Sequence, residues 1–222
     1  MSVGQPAGYG RLVAWLALVG ALAALAYIGR AAGGDPPEDV LYQYDTALGS
    51  AILYGIVFAI VLLMCRGASA RELLALRRPR SWKRAALISL AIFGIMLVLG
   101  AVLDPFLDAG EEQGLTPDDW ESDRVGAFAA NAAVVAGLAP IVEELTYRGL
   151  GFSVLARFGQ TAAIVLVGIA FGLGHGLVTA LPILTAFGIG LAYLRSRTGS
   201  VYPAIVLHSA FNALSLALAL TL

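Results

Sequence analysis

The sequence predicts an all-α membrane protein built as a bundle of about seven transmembrane helices. Only 13% of its 222 residues are charged, about half the share that is usual in soluble globular proteins. The mean hydropathy is +0.83. A helix that crosses a bilayer needs about 20 mostly apolar residues. Seven apolar runs come near that length, and short charged or glycine-rich segments separate them.

The seven runs follow one another along the whole chain. They cover residues 12–28, 47–65, 85–103, 125–142, 161–176, 178–194 and 201–222, and the fourth continues past its polar end. The first run has 17 residues, more than the 7–15 apolar residues of a usual signal peptide, and this favours a retained helix. Because no repeat or long linker divides the chain, we interpret residues 1–222 as one transmembrane domain.

The distribution of charge predicts the orientation. Lys and Arg accumulate in short cytoplasmic loops, and a cytoplasmic N-terminus would place 12 of the 14 basic residues inside. The outer segments would then keep only Arg30 and Arg124 and collect most of the acidic residues. The Ala-, Gly- and Arg-rich composition is typical of bacteria. We therefore predict an integral protein of the bacterial inner membrane with its N-terminus in the cytoplasm.

The charge and the cysteine content exclude two further properties, nucleic-acid binding and an intrachain disulfide. A net charge of −1 provides no basic surface that could hold nucleic acid by counterion release. Cys65 is the only cysteine, so it cannot form an intrachain disulfide, and we expect it to be a packing residue. Residues 66–84 are predicted to form a solvated cytoplasmic loop, with a short amphipathic helix around residues 71–76 lying on anionic lipid.

Few ionisable residues remain inside the apolar runs, and each costs at least about 2.5–3.5 kcal/mol to insert, so they indicate a site. They are Glu143, Glu144, Arg148, His175 and His208. Residues four apart share a helix face, whereas adjacent residues point about 100° apart. Glu144 should therefore pair with Arg148, and Glu143 should point elsewhere.

Helical spacing also groups the other polar side chains. Phe171 shares a face with His175, and His208 shares a face with Asn212. If the chain reverses near Gly159, Glu143 and His175 each lie 16 residues from the turn, at about the same depth in antiparallel helices.

Proline and glycine predict local features of these helices. Pro140 should free a carbonyl and disturb its helix. Gly168, Gly172 and Gly176 have the spacing that permits close helix packing.

Three motifs then carry a resemblance. EELTYRG at 143–149, FGLGH at 171–175 and HSAFN at 208–212 resemble the EExxxR, FxxxH and HxxxN motifs of the CAAX prenyl endopeptidase and bacteriocin-processing family of intramembrane proteases. The resemblance covers residues 125–222, the predicted catalytic core. The first three helices match only in being hydrophobic.

The resemblance implies a role for each motif residue. Glu143 and His175 would activate a water molecule that attacks the scissile carbonyl. His208 and Asn212 would stabilise the oxyanion, and Glu144, Arg148 and Phe171 would support the site. No cofactor is expected. The substrate would be a peptide or protein at the membrane, and a lipidated terminus, a leader peptide and a C-terminal sorting tail remain alternatives.

Two other functions stay open at this point. Two His and two Glu could ligate zinc with one open position, as in a metalloprotease, although Asn212 is a poor zinc ligand and the sequence contains no HExxH motif. A transporter or an immunity-type binding protein could also use a buried polar cluster to hold a proton, an ion or a peptide.

Overall fold

The computed structural model describes residues 8–33, 39–107, 112 and 120–219, and the described residues form helices and no strand. The prediction of an all-α protein is confirmed. The helices are α1 Tyr9–Gly33, α2 Tyr44–Met64, α3 Ala70–Leu73, α4 Trp82–Leu107, α5 Val125–Phe158, α6 Gln160–Leu173, α7 Leu181–Thr198 and α8 Tyr202–Ala219. A short 3-10 helix, Val40–Tyr42, precedes α2.

Each of the seven predicted apolar runs corresponds to one long helix. Four helices are long and apolar enough to cross a membrane: Tyr9–Gly33, Tyr44–Met64, Trp82–Leu103 and Val125–Phe158. Large apolar side chains remain exposed along these helices, for example Leu25 at 64% and Ile95 at 63%. An apolar surface of this extent is expected of helices that face lipid. The last run was predicted to end at Leu222, and residues 220–222 lie outside the described residues.

Two close contacts between helices form the core, one between α1 and α5 and the other between α6 and α7. Trp15 of α1 is 1% exposed, and its indole N–H donates to the carbonyl of Thr146 at 2.9 Å. Cleavage of the first helix as a signal peptide would remove this contact. On the other side, Gly168 of α6 and Gly188 of α7 touch so closely that a Cβ on either residue would clash with the facing helix. The predicted close packing through small residues is confirmed at this pair.

The two ends of the bundle differ in charge. At one end, Arg11 donates to the carbonyls of Met64 and Arg66, and Arg77 donates to that of Gly199 at 2.7 Å. At the other end, Arg124 pairs with Asp39 at 2.9 Å and also with Glu121. Hydrogen bonds from Arg124 and then from Gln43 lower the pKa of Asp39. The helices therefore place basic loops at one end and acidic segments at the other, as the sequence predicted.

Which end faces the cytoplasm remains a prediction from the basic residues. Cysteines introduced at the exposed positions 71, 72, 77 and 78 should be labelled only from the cytoplasmic side. Cysteines at positions 120–123 should be labelled from outside, and intact and permeabilised cells distinguish the two. The reverse pattern would refute the orientation, although it would leave the site assignment unaffected.

The segment around residues 71–76 does not form the predicted amphipathic helix, and this prediction is wrong. The helix is a single turn, Ala70–Leu73, and the chain after it turns into the protein, where Leu74 is 1% exposed. Leu74 packs against Gly149, where an added Cβ would lie 3.1 Å from the Leu74 backbone. Burial of Leu74 against the end of α5 outweighs the amphipathic preference of the isolated segment.

Candidate active site

The site is built on α5, which is irregular on both sides of the paired glutamates. A π-helical stretch, Val134–Leu138, precedes a six-residue α-helical segment, Ala139–Glu144, and a second π-helical stretch, Leu145–Gly151, follows it. Pro140 has no N–H with which to continue the hydrogen-bond ladder. The predicted disturbance near Pro140 is present, as a widened turn. π-Helical turns inside α-helices are frequent at functional sites.

Glu144 and Arg148 form the predicted ion pair. Their atoms Oε1 and NH1 are 2.7 Å apart, and both side chains are fully buried. Arg148 also donates to the carbonyl of Gly188 at 3.0 Å, and its guanidinium lies 4.2 Å from the centroid of the Phe171 ring. A buried cation is thus held by a carboxylate, a carbonyl and an aromatic face, and it ties α5 to both α6 and α7.

Glu144 has a second partner on α8. The Nδ1 atom of His208 lies 3.0 Å from Oε1 of Glu144. The imidazole is held between the rings of Phe171 and Phe187, with centroid distances of 5.5 and 5.4 Å. Because a carboxylate only accepts hydrogen bonds, Nδ1 donates in this contact, and the contact orients the imidazole ring.

Glu143 has different surroundings from its neighbour. Its side chain is 16% exposed, whereas that of Glu144 is inaccessible. The Tyr54 hydroxyl donates to Oε1 at 2.6 Å. Oε2 lies 3.9 Å from Nε2 of His208, which is too far for a hydrogen bond. In the described part of the chain Glu143 forms no ion pair with Lys or Arg, as the sequence predicted.

His175 lies just beyond the end of α6. The helix ends at Leu173, two residues earlier than a helical His175 requires; Gly174 still has helical backbone angles, and the chain leaves the helix at Gly176, which adopts a φ of +66°. The expectation that His175 is helical is therefore wrong. The Nδ1 atom contacts the carbonyl of Phe171 at 2.8 Å, and the His175 ring packs on the Phe171 ring at 4.7 Å. A carbonyl only accepts, so Nδ1 of His175 donates this hydrogen bond and Nε2 is the ring nitrogen that points away from it.

Asn212 is the remaining motif residue. Its amide donates to the carbonyl of Val135 at 2.8 Å, within the first π-helical stretch. His208 and Asn212 both reach α5, as expected for residues on one helix face. Glu143, Glu144, Arg148, Phe171 and His208 form one cluster. His175 joins this cluster through Phe171 and does not hydrogen-bond to Glu143, and Asn212 lies at its edge.

Comparison with known families finds a match, which covers the residues that carry this cluster. Residues 125–214 match the family model described as Rce1-like, type II CAAX prenyl endopeptidase. These residues form an Rce1-like domain. The match contains all three motifs and confirms the family suggested by the sequence. It indicates a CAAX-type intramembrane protease, an endopeptidase in an integral membrane protein. No curated protein and no solved structure matches the chain.

The Rce1-like domain depends on helices outside the matched residues. Tyr54 of α2 supplies the hydrogen bond to Glu143, and Trp15 of α1 binds the Thr146 carbonyl beside it. Sequence reasoning missed both residues because it treated the first three helices only as apolar spans. A tyrosine in the middle of an apolar run was the available signal, since a buried hydroxyl usually has a partner.

The turn that carries His175 in the Rce1-like domain is anchored from outside the domain. The Glu112 carboxylate accepts hydrogen bonds from the Val178 and Ala180 amides and from the Thr179 hydroxyl, at 2.7–2.9 Å. Burial raises the pKa of Glu112, but these hydrogen bonds outweigh it, so the pKa lies below its usual value. Gly176 also packs directly on Ala26 of α1. Two segments outside the domain therefore position the turn next to the site.

Proposed function

We propose that this protein is an intramembrane endopeptidase that hydrolyses a peptide bond with a water molecule activated by Glu143 and His175, without a covalent intermediate. The observation that supports it best is the contrast between the two adjacent glutamates. Glu144 is fully buried and forms an ion pair with Arg148, whereas the side chain of Glu143 is 16% exposed and, among the described residues, pairs with no Lys or Arg. A carboxylate already neutralised by a guanidinium is a poor general base.

The proposed steps assign each proton. Glu143, aided by the free Nε2 of His175, removes a proton from water as the water oxygen attacks the scissile carbonyl. The same groups then return the proton to the leaving amine as the peptide bond breaks. Tyr54 keeps the Glu143 carboxylate in position through its 2.6 Å hydrogen bond.

His208 and Asn212 are proposed to stabilise the oxyanion. With Nδ1 committed to Glu144, His208 donates to the oxyanion from Nε2 when both ring nitrogens carry a proton. Asn212 uses one amide hydrogen on Val135 and has a second one available. Two donors aimed at a developing oxyanion in a dry site are worth several kcal/mol.

We propose that the reaction uses no metal ion. Within the described ranges, no three His, Cys, Asp or Glu side chains are arranged to hold a metal ion. Oxygen Oε1 of Glu144 already contacts Arg148 and His208, and a metal bound through the unpartnered Oε2 would place a second cation beside the buried guanidinium. We therefore derive no step through a metal. As substrates we propose leader peptides or C-terminal sorting tails of small membrane-associated proteins.

Cleavage is expected to survive thorough chelation. Purified protein in detergent should generate new termini in candidate peptides, seen by mass spectrometry, before and after treatment with a strong chelator, and it should contain less than one zinc per chain. Loss of cleavage that zinc restores would establish a metalloprotease. Retention of a peptide without new termini, in both wild type and Glu143→Gln, would establish a binding protein or transporter.

A further inference from the structure

An apolar groove opens to the surface between α4, α6 and α7, away from the candidate active site. Its volume is about 520 Å³. The side chains that form it include Leu87, Ala91, Ile95, Ile164, Ile189 and Tyr193. Leu87 and Ile95 are more than half exposed, at 59% and 63%. The groove therefore faces the hydrocarbon layer of the membrane.

Basic and aromatic residues mark one end of the groove. Lys83 and Arg84 lie in the first turn of α4. They precede the groove residue Leu87 by one helical turn and lie on the same face of the helix. Arg197 lies one turn beyond Tyr193, with its guanidinium 5.7 Å from the Tyr193 ring. All three cations are exposed, and none forms an ion pair with an acidic residue of the described chain.

The aromatic residues place this end at the membrane surface. Trp82 begins α4 and is 56% exposed, and Tyr193 is 43% exposed. Exposed Trp and Tyr side chains concentrate at the level of the lipid headgroups. The apolar part of the groove thus extends into the bilayer from a cationic rim at the headgroup level.

We infer that this groove binds an anionic phospholipid, with an acyl chain along α4 and α7 and the phosphate at Lys83, Arg84 and Arg197. Basic pockets between transmembrane helices bind anionic headgroups. An uncharged helix from a partner or from a second copy would cover the apolar walls and leave the three cations without a counter-charge. A phospholipid would cover the apolar walls with its acyl chain and pair the three cations with its phosphate.

A lipid in this groove would also support the active site. Ile189 forms part of the groove wall and packs on Gly168, while the preceding Gly188 carbonyl accepts a hydrogen bond from Arg148. A ligand that binds only the folded protein raises its melting temperature. Phosphatidylglycerol should therefore stabilise the purified protein more than phosphatidylcholine does.

Native mass spectrometry of the full chain in detergent tests the headgroup site. It compares the binding of dioleoyl phosphatidylglycerol with that of dioleoyl phosphatidylcholine. Each cation near a headgroup is worth about a fivefold change in affinity. The double variant Arg84→Gln/Arg197→Gln should therefore bind phosphatidylglycerol about 25-fold more weakly and phosphatidylcholine unchanged. Arg66→Gln/Arg71→Gln removes the same charge from the same end of the molecule and should stay within about twofold of wild type. Equal losses in the two variants would overturn the proposal.

A second pair of variants tests the acyl-chain groove. Ala91→Phe fills the groove from an exposed position and should weaken binding of both lipids at least about fivefold, because a bulky side chain there excludes the acyl chain. Ala101→Phe, also exposed on α4 but outside the groove, should have no effect. Unchanged lipid binding by Ala91→Phe would show that no lipid chain occupies the groove. The same conclusion would follow if the wild-type protein were a dimer and Ala91→Phe dissociated it.

Discussion

Glu143→Gln is expected to abolish cleavage and to leave the melting temperature nearly unchanged. Glutamine keeps the shape of the side chain, and its carbonyl can still accept the hydrogen bond from Tyr54. It cannot take a proton from water, and loss of a general base costs about 10²–10⁴ in rate. Because Glu143 is partly exposed and its substitution leaves no Lys or Arg of the described residues unpaired, little folding free energy is lost. Single-turnover cleavage and thermal unfolding in detergent measure the two effects.

The chain offers a matched control for this substitution. Glu72 is exposed at the basic end of the molecule, and its side chain forms no ion pair within the described residues. Glu72→Gln should therefore cleave and unfold like wild type. A Glu143→Gln variant that cleaves near the wild-type rate would refute the role proposed for Glu143.

Glu144→Gln is expected to destabilise the protein as well as to reduce its activity. The substitution leaves Arg148 as an uncompensated buried charge, which in soluble proteins costs about 3–5 kcal/mol of the free energy of unfolding. It also removes the charge that orients His208 through Nδ1. Melting temperature and yield should both fall, and cleavage should weaken because the proposed oxyanion donor is no longer fixed.

A double-mutant cycle separates the ion pair from other effects. Glu144→Gln/Arg148→Gln removes both charges and should be less destabilised than the sum of the single variants, because neither charge is left unpaired. A Glu144→Gln variant that is stable but inactive, together with an unstable Glu143→Gln, would reverse the roles proposed for the two glutamates.

Features that depend on neighbours along one helix could be predicted from the sequence. The apolar runs follow from their length and composition, and the separation of charge between the two ends follows from their alternation with charged segments. The pairing of Glu144 with Arg148, and the different direction of Glu143, follow from the period of the helix alone. The end of α6 before His175 was missed because the apolar run continues through Gly174 and Gly176, whose effect on the helix depends on its surroundings.

Contacts between helices were decided only by the tertiary structure. Tyr54 reaches Glu143 from 89 residues away, and His208 reaches Glu144 from 64 residues away. The burial of Leu74 under α5 is another such contact. In a soluble protein the polar and apolar faces of a helix show which side is buried. In a membrane the face toward lipid and the face toward protein are both apolar, so hydrophobicity does not show which side of a helix is buried. The sequence alone therefore determined which segments are helices and which residues share a face. Packing in the tertiary structure decided which helices meet.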